Sequence, residues 1–181
     1  MPLRNTNERF GLVTKALHWL IAFLILGLIW LGWYMVDLSY FDRWYNESLA
    51  WHKSLGMTVL GLALFKIGWQ VYTPPPRNAG VIKPWERVSA TAMHYVLFAV
   101  MVLLPVTGYL VSTSAGQGIA VFGLFDVPAL VGKNDALRDL AIKIHFYLAY
   151  GTAVLLIGHV GAALKHQFVD KDRTLTRILW D

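Results

Sequence analysis

Cysteine is absent from the 181 residues of this sequence, and charged residues are scarce. Without cysteine the chain has no disulfide framework, no thiolate metal site and no thiol for the covalent attachment of a cofactor. Charged side chains make up 15% of the residues, compared with about 25% in ordinary soluble domains. This composition argues against a soluble globular protein.

Hydrophobic residues make up 56% of the sequence, and most of them fall in four long runs. Each run reaches about 20 residues, the length that crosses about 30 Å of hydrocarbon. The first run lacks the small-residue cleavage site of a signal peptide, so we expect it to remain in the mature protein. The spans are predicted at residues 12–36, 51–72, 91–112 and 142–165. The sequence therefore predicts an all-α integral membrane four-helix bundle, with residues 1–181 forming one domain in contact with membrane lipid.

Lysine and arginine are distributed unequally between the connecting segments. The two termini and the second connector, with the adjoining span ends, hold eleven of the sixteen, whereas the first and third connectors hold five beside six acidic residues. The positive-inside rule then places both termini in the cytoplasm and exposes two loops outside, to the periplasm if the source is a Gram-negative bacterium with this chain in its inner membrane. The formal net charge of +5 could suggest an anionic partner, but in a membrane protein the distribution of charge matters more than its total. No nucleic-acid partner is expected.

Four histidines of the predicted spans fall at two depths of the membrane. His18 and His159, here called the inner pair, share the level nearer the cytoplasm, and His52 and His145, the outer pair, share the level nearer the opposite face. At about 1.5 Å per residue, the two levels are about 20 Å apart. His166 lies on the same helical stripe as His145 and His159, at the inner surface. Polar groups inside a membrane point to function by default.

Ligation of haem by two imidazoles suits this pattern, because it needs one nitrogen from each of two facing helices and room for a flat macrocycle. Nearly every carboxylate lies outside the spans, so a carboxylate-bridged di-metal site is not expected. Without cysteine, the predicted cofactors are two haem b groups, held non-covalently. Small residues on the spans would supply the room: Gly27, Gly56, Gly61, Gly108, Gly151, Gly158 and Gly161.

Interhelical hydrogen bonding is the competing explanation for any single histidine of the spans. His94, on the third span, has no partner at its own depth apart from the inner pair, and it is interpreted as such a structural residue. The glycines would also serve ordinary helix packing.

Several segments resemble the bacterial cytochrome b561 family, four-helix membrane cytochromes that include superoxide oxidase. They are KALHWL around His18, the early His52 of the second span, the YTPPP turn and the terminal GHVGAALKHQFVDKDRTLTRIL, and together they cover nearly the whole chain in order. The loop FGLFDVPAL places the chain closer to a less studied branch than to superoxide oxidase itself.

The resemblance implies two haem b groups, one ligated by the inner pair and one by the outer pair. It also implies quinone chemistry near the inner haem, where His166 matches a family histidine associated with that site. Relatives often carry arginines near the end of the second helix, where this chain has Lys66 and Gln70. Lys66 would contact a haem propionate or the quinone as a point charge rather than as a bidentate fork.

The predicted function is electron transfer between a donor at the outer face and the ubiquinone pool near the inner haem. With superoxide as donor, the chain would be an enzyme, a superoxide:quinone oxidoreductase. Cations near the outer haem would focus this anion, although acidic residues of the same loops nearly cancel their field. These cations are Lys53, Lys133, Arg138 and Lys143.

Two other classes of function stay open. One is a non-catalytic cytochrome b subunit that exchanges electrons with a periplasmic redox protein. The other is a histidine-lined membrane protein without haem. The sequence identifies no catalytic residue.

Overall fold

The computed structural model describes residues 2–77 and 83–180, and four long helices account for most of them. They are α1 (Leu12–Val36), α2 (Tyr45–Tyr72), α3 (Pro84–Thr113) and α4 (Asp135–Phe168). A hairpin of strands β1 (Ile119–Val121) and β2 (Phe125–Val127) precedes α4, and a short helix α5 (Thr174–Leu179) follows it. All four long helices are long and apolar enough to cross a membrane. The predicted four-helix membrane bundle is confirmed.

Three of the helices begin well before the predicted membrane spans. Hydropathy detects only the part of a helix that lies in hydrocarbon, whereas local start signals decide where the helix begins. At α3 this signal is Pro84 in the first helical position, where a missing N–H costs nothing. At α4 it is Asn134, whose side chain accepts a hydrogen bond from the backbone N–H of Leu137 at 3.0 Å. The segment from Asp135 to the predicted start of the fourth span is thus the first part of α4.

The helices pack in chain order, α1 on α2, α2 on α3 and α3 on α4. By contrast, in residues 2–77 and 83–180 the backbones of α1 and α2 are largely separated from the backbone of α4. Side chains bridge this separation, for example the rings of Trp33 on α1 and Tyr150 on α4, whose centroids are 6.0 Å apart. We call the space between α4 and the α1–α2 pair the seam.

The hairpin between α3 and α4 turns through two residues with positive φ, Phe122 at 51° and Gly123 at 69°. Positive φ at both central positions defines the type I′ turn, which matches the twist of the flanking strands. Phe122 is an unusual residue for this conformation, because its Cβ crowds the backbone. Its N–H donates to Ser54 Oγ at 3.0 Å, and its ring lies 5.7 Å from the ring of Trp51. Contacts with α2 therefore hold a strained turn close to His52.

Replacing Phe122 with asparagine should make the protein about 1 kcal/mol more stable than Phe122→Ala, because both variants lose the ring contact and asparagine adopts the left-handed conformation at much lower cost. The Ser54 bond is made by the backbone of residue 122, so the substitution retains it. The measurement is the thermal unfolding midpoint in detergent, followed by tryptophan fluorescence. Phe122→Ala is the control, since alanine keeps the strain and loses the ring contact. A midpoint for the asparagine variant at or below that of the alanine variant would show that the turn stores no strain.

Candidate functional site

The two predicted histidine pairs each meet across the seam. In the outer pair, the ring centroids of His52 on α2 and His145 on α4 are 6.1 Å apart, with an interplanar angle of 74°. In the inner pair, the centroids of His18 on α1 and His159 on α4 are 6.4 Å apart, at 51°. Helix α4 thus presents one imidazole to each of the two helices from which its backbone is separated.

These separations suit a single metal ion between the two rings of each pair. An imidazole nitrogen lies about 2 Å from a metal it ligates and about 1.1 Å from its own ring centre, so two opposed ligands have centroids about 6.2 Å apart. The values of 6.1 Å and 6.4 Å match this geometry. Within the described residues, no group of three or more His, Asp or Glu side chains is arranged around a metal position. Two imidazoles alone are the donor set that a haem iron needs, because the porphyrin supplies the other four nitrogens.

The hydrogen bonds of His145 determine which of its nitrogens is available. Its Nδ1 lies 3.0 Å from the carbonyl oxygen of Leu104 and 3.1 Å from Oγ1 of Thr107, both on α3. A carbonyl can only accept a hydrogen bond, so Nδ1 carries the proton. The lone pair of Nε2 is then left for a ligand, which is the arrangement found in most metal-binding histidines.

The rings of the outer pair both lie against glycine. A Cβ atom at Gly108 would come within 3.1 Å of Cε1 of His145, and one at Gly32 within 3.4 Å of Cε1 of His52. Gly108 belongs to the set expected from the sequence, whereas Gly32 does not. Nδ1 of His52 is buried and has no hydrogen-bond partner in the described part of the chain. A buried ring nitrogen without a partner is costly, and a ligand from outside the chain would remove that cost.

The other glycines predicted to make room have different surroundings. Gly158 faces the methyl group of Met93, whose Cε would lie 3.6 Å from an added Cβ. The remaining ones have no described atom within 4 Å of the Cβ position: Gly27, Gly56, Gly61, Gly151 and Gly161. Open space beside these glycines agrees with either a ligand or a lipid neighbour.

The inner pair has two further polar neighbours. The ring of His94 on α3 lies 5.6 Å from that of His159, at 70°. Lys66 on α2 is close enough for its charge to act on His18 and on His94, and its Nζ lies 5.9 Å from the ring centre of Phe98. The separation of His94 from His159 is shorter than an intervening metal would give, so the geometry favours His18 as the partner of His159.

His166 lies beyond the inner pair on α4, away from the histidine rings. Its Nδ1 is 2.9 Å from Oδ2 of Asp170 and 3.3 Å from Oδ2 of Asp172. Lys165 Nζ lies 2.6 Å from both Asp170 Oδ2 and Glu86 Oε1, which ties the end of α4 to the start of α3. The hydrogen bond from Lys165 holds the pKa of Asp170 below its usual value. The structure therefore places His166 beside two carboxylates, at the edge of the bundle.

Arg138, one of the cations expected to focus a small anion, is already paired. Its guanidinium lies 2.8 Å from Asp135 and 2.9 Å from Asp139. Neighbouring carboxylates of this kind largely cancel the field that the cation would project toward the outer pair. The focusing expected from the sequence would rest on the three lysines.

The chain is similar to proteins that are already known. Residues 9–181 match the family described as prokaryotic cytochrome b561. The chain is 41% identical over 179 residues to cytochrome b561 homolog 2 of Escherichia coli K12, covering 99% of this chain and 95% of that protein. It is 27% identical over 175 residues to a probable superoxide oxidase, CybB, of Yersinia pestis, covering 96% and 97% of the two chains.

Proposed function

Because this chain belongs to the prokaryotic cytochrome b561 family, the multi-pass electron-transfer cytochromes of the bacterial inner membrane, we propose that it moves electrons between two haem b groups stacked across that membrane. The observation that carries the proposal is the ring separation in each pair, 6.4 Å for the inner and 6.1 Å for the outer. His18 and His159 hold the inner haem, and His52 and His145 hold the outer one. Bound haem iron supplies one-electron exchange between its ferric and ferrous states.

The protein's part is to position and insulate these groups. Helix α4 would give one nitrogen to each haem, and its rise places His145 and His159 about 20 Å apart along the helix axis. The Leu104 carbonyl and Thr107 fix the tautomer of His145, so its Nε2 is ready to bind without rearrangement. The surrounding apolar helices exclude water, which prevents electrons from escaping to solutes between the two levels.

Electrons leave at the inner end, where ubiquinone is the proposed acceptor. His166 lies with Nδ1 2.9 Å from Asp170 and 3.3 Å from Asp172, and its ring would bond to an oxygen of the quinone head. Lys66, near His18, would contact a haem propionate or the quinone. One quinone takes up two electrons and two protons to become a quinol.

Two donors are candidates at the outer end. Similarity to a probable superoxide oxidase favours superoxide, which gives up one electron to become dioxygen, so that two superoxide anions reduce one quinone. The pairing of Arg138 with two aspartates weakens electrostatic attraction of this anion. It favours the second candidate, a periplasmic redox protein that docks and exchanges electrons with a non-catalytic cytochrome.

The test is rapid mixing of the oxidised, purified protein with superoxide, with and without a soluble ubiquinone analogue. Superoxide as donor should reduce haem within the mixing experiment, and added quinone should reoxidise it, with the first rate falling as ionic strength rises. His52→Ala, which lacks the outer site, is the matched control and should not respond. Haem that is reduced by dithionite but not by superoxide would exclude superoxide and leave the protein partner.

A further inference from the structure

We propose that helix α3 sets the electron affinity of the outer haem, through Thr107 and the carbonyl of Leu104 acting on His145. In the scheme above α3 supplies no axial ligand, so these residues position and polarise a ligand that belongs to α4. The inference rests on the proposed function, in that it takes His52 and His145 as the ligands of the outer haem.

The contacts form a closed triangle of hydrogen bonds. Thr107 Oγ1 donates to the carbonyl oxygen of Leu104 at 2.8 Å. With its proton used there, Oγ1 offers a lone pair to the N–H of His145, 3.1 Å away, while the Leu104 oxygen accepts from the same N–H at 3.0 Å. Thr107 is buried, 9% exposed, so water does not compete for these bonds. Gly108, the next residue, lets the ring lie directly against the backbone of α3.

Such bonds change the ligand as well as its orientation. Hydrogen bonds from the Nδ1–H group to two acceptors increase the electron density on Nε2. The imidazole is then a stronger donor to iron. A stronger donor stabilises the ferric state relative to the ferrous state, and so lowers the reduction potential. In the described residues this arrangement is specific to His145, since no corresponding bond is found at His18, His52 or His159, and the neighbour of His159 is the ring of His94.

A lower potential at the outer haem has a directional consequence. Electrons pass downhill from the group with the lower potential to the group with the higher one. Thr107 would therefore favour flow from the outer level to the inner level, toward the proposed quinone.

The experiment compares Thr107→Val with Thr107→Ser by spectroelectrochemical titration of both haems. Valine has the shape of threonine without the hydroxyl, and serine keeps the hydroxyl. In the valine variant the oxidised-to-reduced equilibrium of one haem should shift by up to tenfold toward the reduced form, which is 59 mV for one electron. The serine variant should stay near the native potential, and the other haem should not change. Thr113→Val removes another buried hydroxyl of α3, one that bonds only within its helix to Tyr109, and should leave both potentials unaltered.

The comparison between valine and serine decides the outcome. Equal potentials in the two variants, with both haems loaded, would overturn the role of Thr107, and a shift shared by both haems would do the same. Should the valine variant fail to insert, Thr107→Ala removes the same hydroxyl and is titrated in its place. His145→Ala tests the proposed ligation separately from the role of Thr107. If that variant keeps both haems, the proposed ligation itself is wrong, whatever Thr107 does.

Discussion

Alanine in place of His52 should remove the outer haem and leave the inner one, and alanine in place of His18 should remove the inner haem and leave the outer one. Each pair spans the seam with two imidazoles at the separation of opposed iron ligands, and loss of either nitrogen leaves a single axial bond. Second-sphere changes alone cost 10- to 100-fold in metal affinity, so removal of a ligand should empty the site in purified protein. The measurement is haem per polypeptide, from the pyridine haemochrome and the protein concentration. We expect about one haem in each variant and none in the double variant.

Two other histidines provide matched controls for this experiment. His166→Ala should retain both haems, because its ring lies beyond the inner pair and faces two aspartates. His94→Ala is the stricter control, since its ring touches His159 but at 5.6 Å leaves too little room for an intervening metal. Loss of the inner haem in His94→Ala with retention in His18→Ala would reassign the ligand to α3. Full haem content in His52→Ala would refute the pairing of the outer level.

Valine in place of Gly108 should empty the outer site while leaving the inner one filled. An added Cβ would lie 3.1 Å from Cε1 and 3.4 Å from Nδ1 of His145, so the ring would already have to shift by a few tenths of an ångström, and the two methyl groups of valine add further crowding. The ring would have to move away from α3, which breaks its bonds to Leu104 and Thr107 and misdirects Nε2. We expect the outer haem affinity to fall by about 10- to 100-fold, the range for lost second-sphere support. The measurement is haem titration into protein that was produced under haem limitation.

Gly61→Val is the control for this substitution. Gly61 is exposed on α2, with no described atom within 4 Å of its Cβ position, and nine residues of helix place it on the side opposite His52. Haem content should therefore be native in this variant. Gly108→Ala should fall between the two, because a single methyl group requires a displacement of only a few tenths of an ångström. Native affinity in Gly108→Val would mean that the His145 ring has more freedom than its hydrogen bonds suggest.

The membrane bundle and the depth of the histidines could be predicted from the sequence because both depend on position along single helices. Apolar runs of sufficient length define α1 to α4, and the place of each histidine in its run gives its level. The placement of His52 beside His145, and of His18 beside His159, agrees with depth, although each pair joins two helices whose backbones do not pack directly. Depth alone does not separate His18 from His94 as neighbours of His159, and the structure brings both rings to it.

The supports of the outer pair could not be predicted, since they depend on the rotation of one helix against another. Nothing near Leu104 or Thr107 in the sequence distinguishes this threonine from others on the spans, and a backbone carbonyl carries no sequence signal at all. The same holds for Gly32, which contacts His52 only because α1 and α2 pack closely. The hairpin was missed for a different reason. Its strands have three residues each, and its turn uses Phe122 where such turns usually carry asparagine, aspartate or glycine.

Helix α4 would also set the distance over which electrons tunnel between the two proposed haems. The rate of tunnelling falls steeply with distance. The spacing of the two proposed haems would therefore determine the rate of electron transfer between them more than any other feature. In the proposed arrangement both haems would take a ligand from this one helix, and His159 lies fourteen positions after His145 in the same continuous α-helix. Sliding or tilting of α1 and α2 against α4 would leave the spacing of His145 and His159 along α4 unchanged. In the proposed arrangement the tunnelling distance would thus be set mainly by one helix rather than by the packing of four.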